Sequence, residues 1–355
     1  MDAASLGRTC GIVTTGSPFI SCRFHLALPR AGVLRRVALT LLSFVAGVAL
    51  LRSGAWADEP ANQDRNAQAP STGKLFICGG GTLPGELYRQ FVDLSGGSAA
   101  RVVVITTASA LADSDRIQAT LNVWRELPMA NLTVLHTRSR ETADEAQFVK
   151  PLTDATGVWF GGGDQNRLID TYLGTATERE IRGVLTRGGV VGGTSAGAAV
   201  MSPVMIRRDK PTVECGAGFG FLPGTVVDQH FLKRNRKKRL LQVLEEHRDF
   251  LGLGIDEGTA LVVSGGRLRV LGESQVLVCW PPVAGRPDEG ITLEAAGPEI
   301  DLMHLHAQAL ARLEPKPASP DAADVAASTD EVDVTTVGVT PEDTGGKPAP
   351  EEVGQ

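Results

Sequence analysis

The run Val190-Val191-Gly192-Gly193-Thr194-Ser195-Ala196-Gly197-Ala198-Ala199 constrains the fold more than any other segment. An apolar strand leads into a glycine-flanked serine and then directly into small, helix-forming residues. That order describes a sharp strand-to-helix turn, which a chain makes only when the residues around the turn lack bulk. The turn lifts the serine hydroxyl clear of a sheet and leaves the next N–H free to stabilise an oxyanion. An ordinary tight turn uses the same small residues, so the surrounding sequence has to supply the rest of the site.

The central chain has the alternation that such a turn requires. Residues 74–78, 101–106, 132–135, 157–160 and 189–191 read as strands, several of them apolar almost throughout, as strands covered on both faces are. Helical patterns at 85–94, 114–127, 165–172 and 176–187 fall between them. This predicts an α/β fold: a doubly wound, mostly parallel sheet with helices on both faces. Residues 260–263, 267–271 and 275–278 lie close together with Gly and Ser turns. They are expected to extend one edge of that sheet as antiparallel strands. Residues 74–314 thus read as a single α/β hydrolytic domain.

The ends of the chain differ from this body. Arg35-Arg36 precedes an apolar run over 37–51, then Ala55-Trp56-Ala57 and polar Asp58-Glu59-Pro60. A basic segment, a short apolar core and an A-x-A end predict an export signal over 1–57, handled by the export machinery and cleaved after Ala57. The expected location is periplasmic or extracellular. An uncleaved membrane anchor is the alternative, although a span needs about 20 apolar residues. Residues 1–32 are long for such a signal, as an over-extended gene start with initiation at Val33 or Leu34 would make them. Residues 58–73 read as a linker. Residues 315–355, rich in Pro, Asp, Glu, Thr and Ala, cannot bury a core and are expected to form a disordered acidic tail. Net charge is −6 overall and about −4 in the central part, which excludes a generic nucleic-acid binder.

Of the cysteines, Cys78, Cys215 and Cys279 lie beyond the signal, and they give neither a disulfide framework nor metal-ligand spacing. Gly79-Gly80-Gly81 follows the first strand and invites a dinucleotide reading. Pro84 stands where the third glycine of that fingerprint belongs, so no nicotinamide site, and no other cofactor or metal, is expected.

A serine nucleophile needs a base and a group to orient it. His230 follows the apolar run 225–227 within Asp228-Gln229-His230-Phe231, at the carboxyl end of a strand, where doubly wound folds keep their chemistry. Gly254-Ile255-Asp256-Glu257-Gly258 offers two carboxylates, either of which suits the orienting role. Gly161-Gly162-Gly163-Asp164-Gln165 ends another strand. The N–H groups of Gly162 and Gly163 suit an oxyanion hole with that of Ala196, Gln165 suits a substrate contact, and Asp164 suits a helix cap. Six of the seven residues 233–239 are basic, which beside His230 suggests recognition of an acidic substrate. At helical spacing Arg236 and Arg239 would share a face with Lys233.

Together, Gly161-Gly162-Gly163-Asp164-Gln165, Gly193-Thr194-Ser195-Ala196-Gly197-Ala198, Asp228-Gln229-His230-Phe231 and Gly254-Ile255-Asp256-Glu257-Gly258-Thr259-Ala260 resemble the cyanophycinase family of serine peptidases. These are relatives of aspartyl dipeptidases with a fold like that of class I glutamine amidotransferases. The resemblance covers residues 74–280. It implies Ser195 as nucleophile, His230 as base and Glu257 as the orienting acid. It implies a substrate pocket shaped by Gln165, Asp228, Arg234, Arg236 and Arg239, and a homodimer. Its implied substrate is cyanophycin, a poly-aspartate bearing arginine on each β-carboxyl, cleaved to β-Asp-Arg dipeptides. Asp228 would complement a substrate guanidinium. Family members that degrade a cell's own storage granules work in the cytoplasm, whereas this chain carries an export signal, so an external polymer or another acidic peptide is expected. An α-aspartyl or isoaspartyl dipeptidase would share the site but needs fewer cations. A non-catalytic exported binding protein would have no need of Ser195, His230 and Glu257 together.

Overall fold

The computed structural model describes residues 72–286 and 289–314. The expected export signal (1–57), most of the linker (58–73) and the acidic tail (315–355) lie outside the described residues. Thr72 and Gly73, assigned to the linker by sequence, already pack on the domain. The Thr72 hydroxyl donates to the Thr186 carbonyl at 2.8 Å, and a Cβ at Gly73 would stand 2.5 Å from the Leu185 carbonyl oxygen.

Five short apolar runs form the parallel strands β1 (Lys74–Cys78), β2 (Arg101–Ile105), β3 (Asn131–Leu135), β4 (Gly157–Phe160) and β5 (Val190–Thr194). Alternate side chains enter opposite cores: Leu75 and Ile77 on one face of the sheet, Phe76 and Cys78 on the other. Both faces must therefore be covered, which is why these strands read as continuous apolar runs. The helix Gly85–Leu94 and the segment 115–125 cover the Phe76 face, where Phe91, Trp124 and Trp159 pack edge to face with ring centroids 5.0–5.7 Å apart. The opposite face is covered by the helices Gln165–Tyr172, Ala176–Thr186 and Ala196–Ala199.

Beyond β1 the sheet continues antiparallel through β10 (Thr259–Ser264), β11 (Arg267–Gly272) and β14 (Ile300–Asp301). The order is β14-β11-β10-β1-β5-β4-β2-β3, a large, mostly parallel sheet flanked by helices, as the alternation predicts.

Two expectations are corrected. Residues 275–278 were expected to extend this edge, but β12 (Gln275–Cys279) belongs to a second sheet with β8 (Thr225–Gln229), β9 (Leu251–Ile255) and β13 (Gly290–Glu294), in the order β13-β12-β9-β8. Gly272, at φ +107°, turns the chain away from the first sheet, and β12 buries Val276 and Val278 against the second layer instead. Residues 114–127 were expected to form one helix. They form a 3-10 segment, Asp115–Leu121, and a single helical turn, Asn122–Arg125, without a side-chain cap on either.

The second sheet carries half of the site. β8 runs through the helix Lys237–Glu246 into β9, which lies parallel to it. Leu240, Val243 and Leu244 recur at three- and four-residue spacing and pack with Phe231 and Phe250. The end of β8 delivers His230 to the carboxyl ends of β1 and β5, where its N–H meets the Gly79 carbonyl and its ring meets Ser195. A hairpin of β6 (Val204–Arg208) and β7 (Glu214–Ala217) completes the strands among the described residues.

Candidate active site

Ser195 sits between β5 and the helix Ala196–Ala199 with φ 54° and ψ −109°, a region that an L-residue enters at a cost of about 1–3 kcal/mol. The glycines around it make the turn sterically feasible. A Cβ at Gly193 would lie 2.6 Å from the Gly197 carbonyl oxygen, and one at Gly197 would lie 2.3 Å from that of Phe160. The Ser195 N–H donates to the Cys78 carbonyl at 3.1 Å, which ties the turn to the end of β1.

The serine hydroxyl stands 2.8 Å from His230 Nε2, and His230 Nδ1 stands 2.6 Å from Glu257 Oε1. With Nδ1–H donating to the carboxylate, Nε2 is left to accept the serine proton. Burial holds the His230 pKa below its ordinary 6.5. Hydrogen bonding to Glu257 opposes this shift, whereas the charges of Arg234 and Arg236 reinforce it. The ring is therefore neutral at pH 7, the state a general base needs. The structure brings Glu257, not Asp256, to the imidazole. Asp256 accepts from the N–H groups of Leu232 and Lys233 at 3.1 and 3.0 Å and from the Ser274 hydroxyl at 3.0 Å, fixing the turn that follows His230.

Gly79-Gly80-Gly81, rejected by sequence as a dinucleotide loop, is the seat of the histidine. His230 N–H donates to the Gly79 carbonyl at 2.7 Å, and Gly258 N–H to that of Gly80 at 3.1 Å. A Cβ at Gly80 would lie 2.5 Å from His230 Cε1, and one at Gly81 would lie 2.8 Å from Glu257 Oε2. The signal was present as three glycines at a strand end, but their partner lies some 150 residues further along the chain.

Ala196 opens a helix, so its N–H has no acceptor within that helix. Gly162 lies beside the nucleophile, its Cβ position 3.6 Å from Ser195 Cβ. Gly163 is packed at φ +142° against Ala108, whose carbonyl oxygen would be 2.1 Å from a Cβ there. Asp164 caps the next helix by accepting from Asn166 N–H at 2.9 Å. Gln165 is pinned by its amide nitrogen, which donates to the carbonyls of Ile206 and Arg207 at 2.9 and 3.2 Å.

The basic run is not one helical face, because Asn235 takes φ +50° and the helix begins only at Lys237. Lys233 and Arg234 are exposed, whereas Arg236 and Arg239 turn inward. Asp228 is wholly buried, and Arg239 Nε donates to its Oδ2 at 2.7 Å while Arg239 Nη2 bonds Oδ1. Asp228 is thus saturated by this chain's own arginine and is closed to a substrate guanidinium, contrary to expectation. Arg239 also donates to Asp209 at 2.9 Å, so it braces the pocket rather than presenting a free fork. Arg236 donates through Nη1 to the Gln229 carbonyl and Oε1 at 2.8 and 2.9 Å, while its buried Nε has no partner among the described residues. Gln229 and Asp209 were not singled out by sequence. Gln229 stood within a recognised motif, and Asp209 carries no local signal. Among the described residues, no group of three or more His, Cys, Asp or Glu side chains is placed to hold a metal ion.

The model of peptidase family S51 matches residues 75–271. The cyanophycinase of Synechococcus elongatus is 34% identical over 206 residues, which is 55% of this chain and 63% of that protein's length. The cyanophycinase of a Nostoc species is 35% identical over 232 residues, covering 61% of this chain and 76% of the relative. The crystal structure of a peptidase from an acI-B1 Actinobacterium superposes with a TM-score of 0.52 at 27% identity, covering 66% of this chain and 98% of that one.

Proposed function

This chain belongs to peptidase family S51 and is a serine peptidase, and we propose that it hydrolyses cyanophycin to β-Asp-Arg dipeptides through an acyl-enzyme on Ser195. The observation that carries this reading is the unbroken Ser195–His230–Glu257 chain next to a cluster of arginines that a carboxylate-rich substrate would need.

In the first step His230 Nε2 takes the Ser195 proton as Oγ attacks the scissile carbonyl carbon. The oxyanion is stabilised by the N–H groups of Ala196 and Gly162, with Gly163 holding the Gly162 loop against Ala108. Collapse breaks the C–N bond, and His230 returns the proton to the leaving amine. Water, deprotonated by His230, then attacks the ester and releases the product acid and Ser195. Glu257 keeps the imidazole in the required tautomer throughout.

Arg234 supplies the exposed cationic group for the free carboxylate of a substrate arginine, Arg236 adds its charge from an inward position, and Gln165 presents its amide oxygen. Arg239 and Asp228 act from beneath by holding that cluster in place. The signal expected over 1–57 would bring the enzyme to polymer outside the cytoplasm, which fractionation of cells expressing the full chain tests.

The deciding experiment incubates the full chain and its Ser195→Ala variant with purified cyanophycin and follows products by mass spectrometry. β-Asp-Arg from the wild type, with release slowed about 10⁵-fold or more in the variant, supports chemistry and nucleophile together. Intact polymer beside a well-folded wild type overturns the substrate. Short aspartyl and isoaspartyl peptides would then be next.

A further inference from the structure

A second recess opens near Ser195, on the Phe76 face of the first sheet. It is a cavity of about 120 Å³ at the carboxyl ends of β2, β4 and β5, walled by Tyr88, Trp124 and Trp159 and reaching Thr194 and Gly162. Gly162, whose Cβ position is 3.6 Å from Ser195 Cβ, forms part of the wall, so the cavity ends beside the nucleophile. The three rings form a mutual cluster with centroids 5.1, 5.6 and 5.2 Å apart.

Among the described residues, no Asp, Glu, Lys, Arg or His lines this recess. Burial pushes the Tyr88 phenol up to about 12, so it remains a neutral hydroxyl. Thr194 Oγ1 is buried on the wall and has no hydrogen-bond partner among the described residues. A buried polar atom without a partner is uncommon, and here it adjoins an unfilled space.

We propose that this cavity is the subsite for the guanidinium end of a substrate arginine side chain. The inference rests on the substrate reading above, since only an arginine-bearing substrate needs such a place. A guanidinium is planar, weakly hydrated and donor-only, with five N–H groups. Aromatic walls receive it by cation–π attraction, and the unpartnered Thr194 oxygen accepts from it. The arginine cluster repels a guanidinium for the same reason that it attracts a carboxylate. The enzyme therefore sorts a zwitterionic unit across its nucleophile, with the carboxylate on the Arg236 side and the cation on the Trp159 side.

The test uses synthetic β-aspartyl oligomers carrying either arginine or citrulline, its uncharged isostere. Initial rates are compared for the full-length wild type, Tyr88→Leu and Tyr88→Phe. Calorimetry on full-length Ser195→Ala, with and without Tyr88→Leu, then measures binding of propylguanidinium and propylurea. The wild type is expected to prefer the arginine oligomer about 5- to 30-fold in kcat/KM. Tyr88→Phe should keep that ratio and Tyr88→Leu should lose most of it. A merely structural defect would slow both oligomers alike and leave the ratio alone. Propylguanidinium should bind in the millimolar range, weaken several-fold with Tyr88→Leu, and exceed propylurea. A ratio that ignores Tyr88→Leu, or equal binding of the two probes, overturns the subsite. If neither oligomer is cleaved but propylguanidinium still binds through Tyr88, the substrate reading fails while guanidinium binding in the cavity stands.

Discussion

On the Glu257 side of His230 the contacts are made by backbone. Gly79 and Gly80 accept N–H bonds, and Gly80 and Gly81 bring main chain to within Cβ distance of the imidazole and its carboxylate. On the Arg236 side the contacts are made by buried charge, with Asp228 under Arg239 and Arg236, and Gln229 between them. The first arrangement fixes position, because no flexible side chain intervenes between the sheet and the reacting groups. The second fixes electrostatic character, and it does so with an ion cluster whose desolvation must be balanced by its own hydrogen bonds. Damage to the first should therefore reduce turnover in a folded protein, and damage to the second should reduce stability.

After loss of the nucleophile or of the base His230, the largest effect expected within the triad is that of Glu257→Gln. By analogy with other triads, the wrong tautomer should lower kcat by about 10⁴-fold with the fold intact. The pH profile sharpens this. Burial already places the His230 pKa below 6.5, and Glu257 is what pushes it upward. Removing the carboxylate lowers the pKa further, so the acid limb of kcat/KM should start below 6.5 in the wild type and move to still lower pH in the variant. An acid limb that moves upward would contradict the role given to Glu257.

Asp228→Ala probes the other side. It leaves Arg239 and Arg236 buried without their main counter-charge, which should cost about 3–5 kcal/mol of stability in denaturant melts. A variant that melts with the wild type would mean that Asp209 and Gln229 suffice to hold the cluster.

Gly80→Ala returns to the backbone side with a smaller perturbation. The added methyl would stand 2.5 Å from His230 Cε1, at a residue whose φ of +98° disfavours any side chain. The imidazole must move by a fraction of an ångström, enough to lower kcat by about 10²-fold. If activity survives while stability falls, Gly80 serves the fold and not the chemistry.

These two sides also differ in how far they could be read from sequence. The strand-to-helix turn at Ser195 needs glycine at 193 and 197 for steric reasons, so composition at fixed spacing announces it. The same holds for the parallel strands, whose unbroken apolar runs follow from coverage on both faces. The second sheet was not legible because β12 has the same local pattern as β10 and β11, and only the turn at Gly272 decides which layer it joins. The arginines were not sorted either. Six basic residues in seven suggested a helical face, yet one left-handed residue, Asn235, breaks the spacing and sends Arg236 and Arg239 inward. Ion pairing over 11 and 30 positions, as in Arg239 with Asp228 and Asp209, leaves no trace in local sequence.

Arg234 gives the smallest effect and the sharpest separation of recognition from catalysis. It is exposed next to His230, and among the described residues its guanidinium has no ion pair, unlike Arg236 and Arg239. Arg234→Gln should therefore leave the melting temperature within about 2 °C of wild type, as surface substitutions do. On an arginine-bearing substrate the loss of one exposed charge–carboxylate contact should raise KM by about 3- to 10-fold with kcat near unchanged, the pattern of a contact made equally in the ground and transition states. There is a second readout. The Arg234 charge helps hold the His230 pKa down, so its removal should move the acid limb of kcat/KM toward higher pH, opposite to Glu257→Gln. An unchanged KM together with an upward shift of the limb would make Arg234 an electrostatic neighbour of the base and leave Arg236 alone to meet the substrate carboxylate.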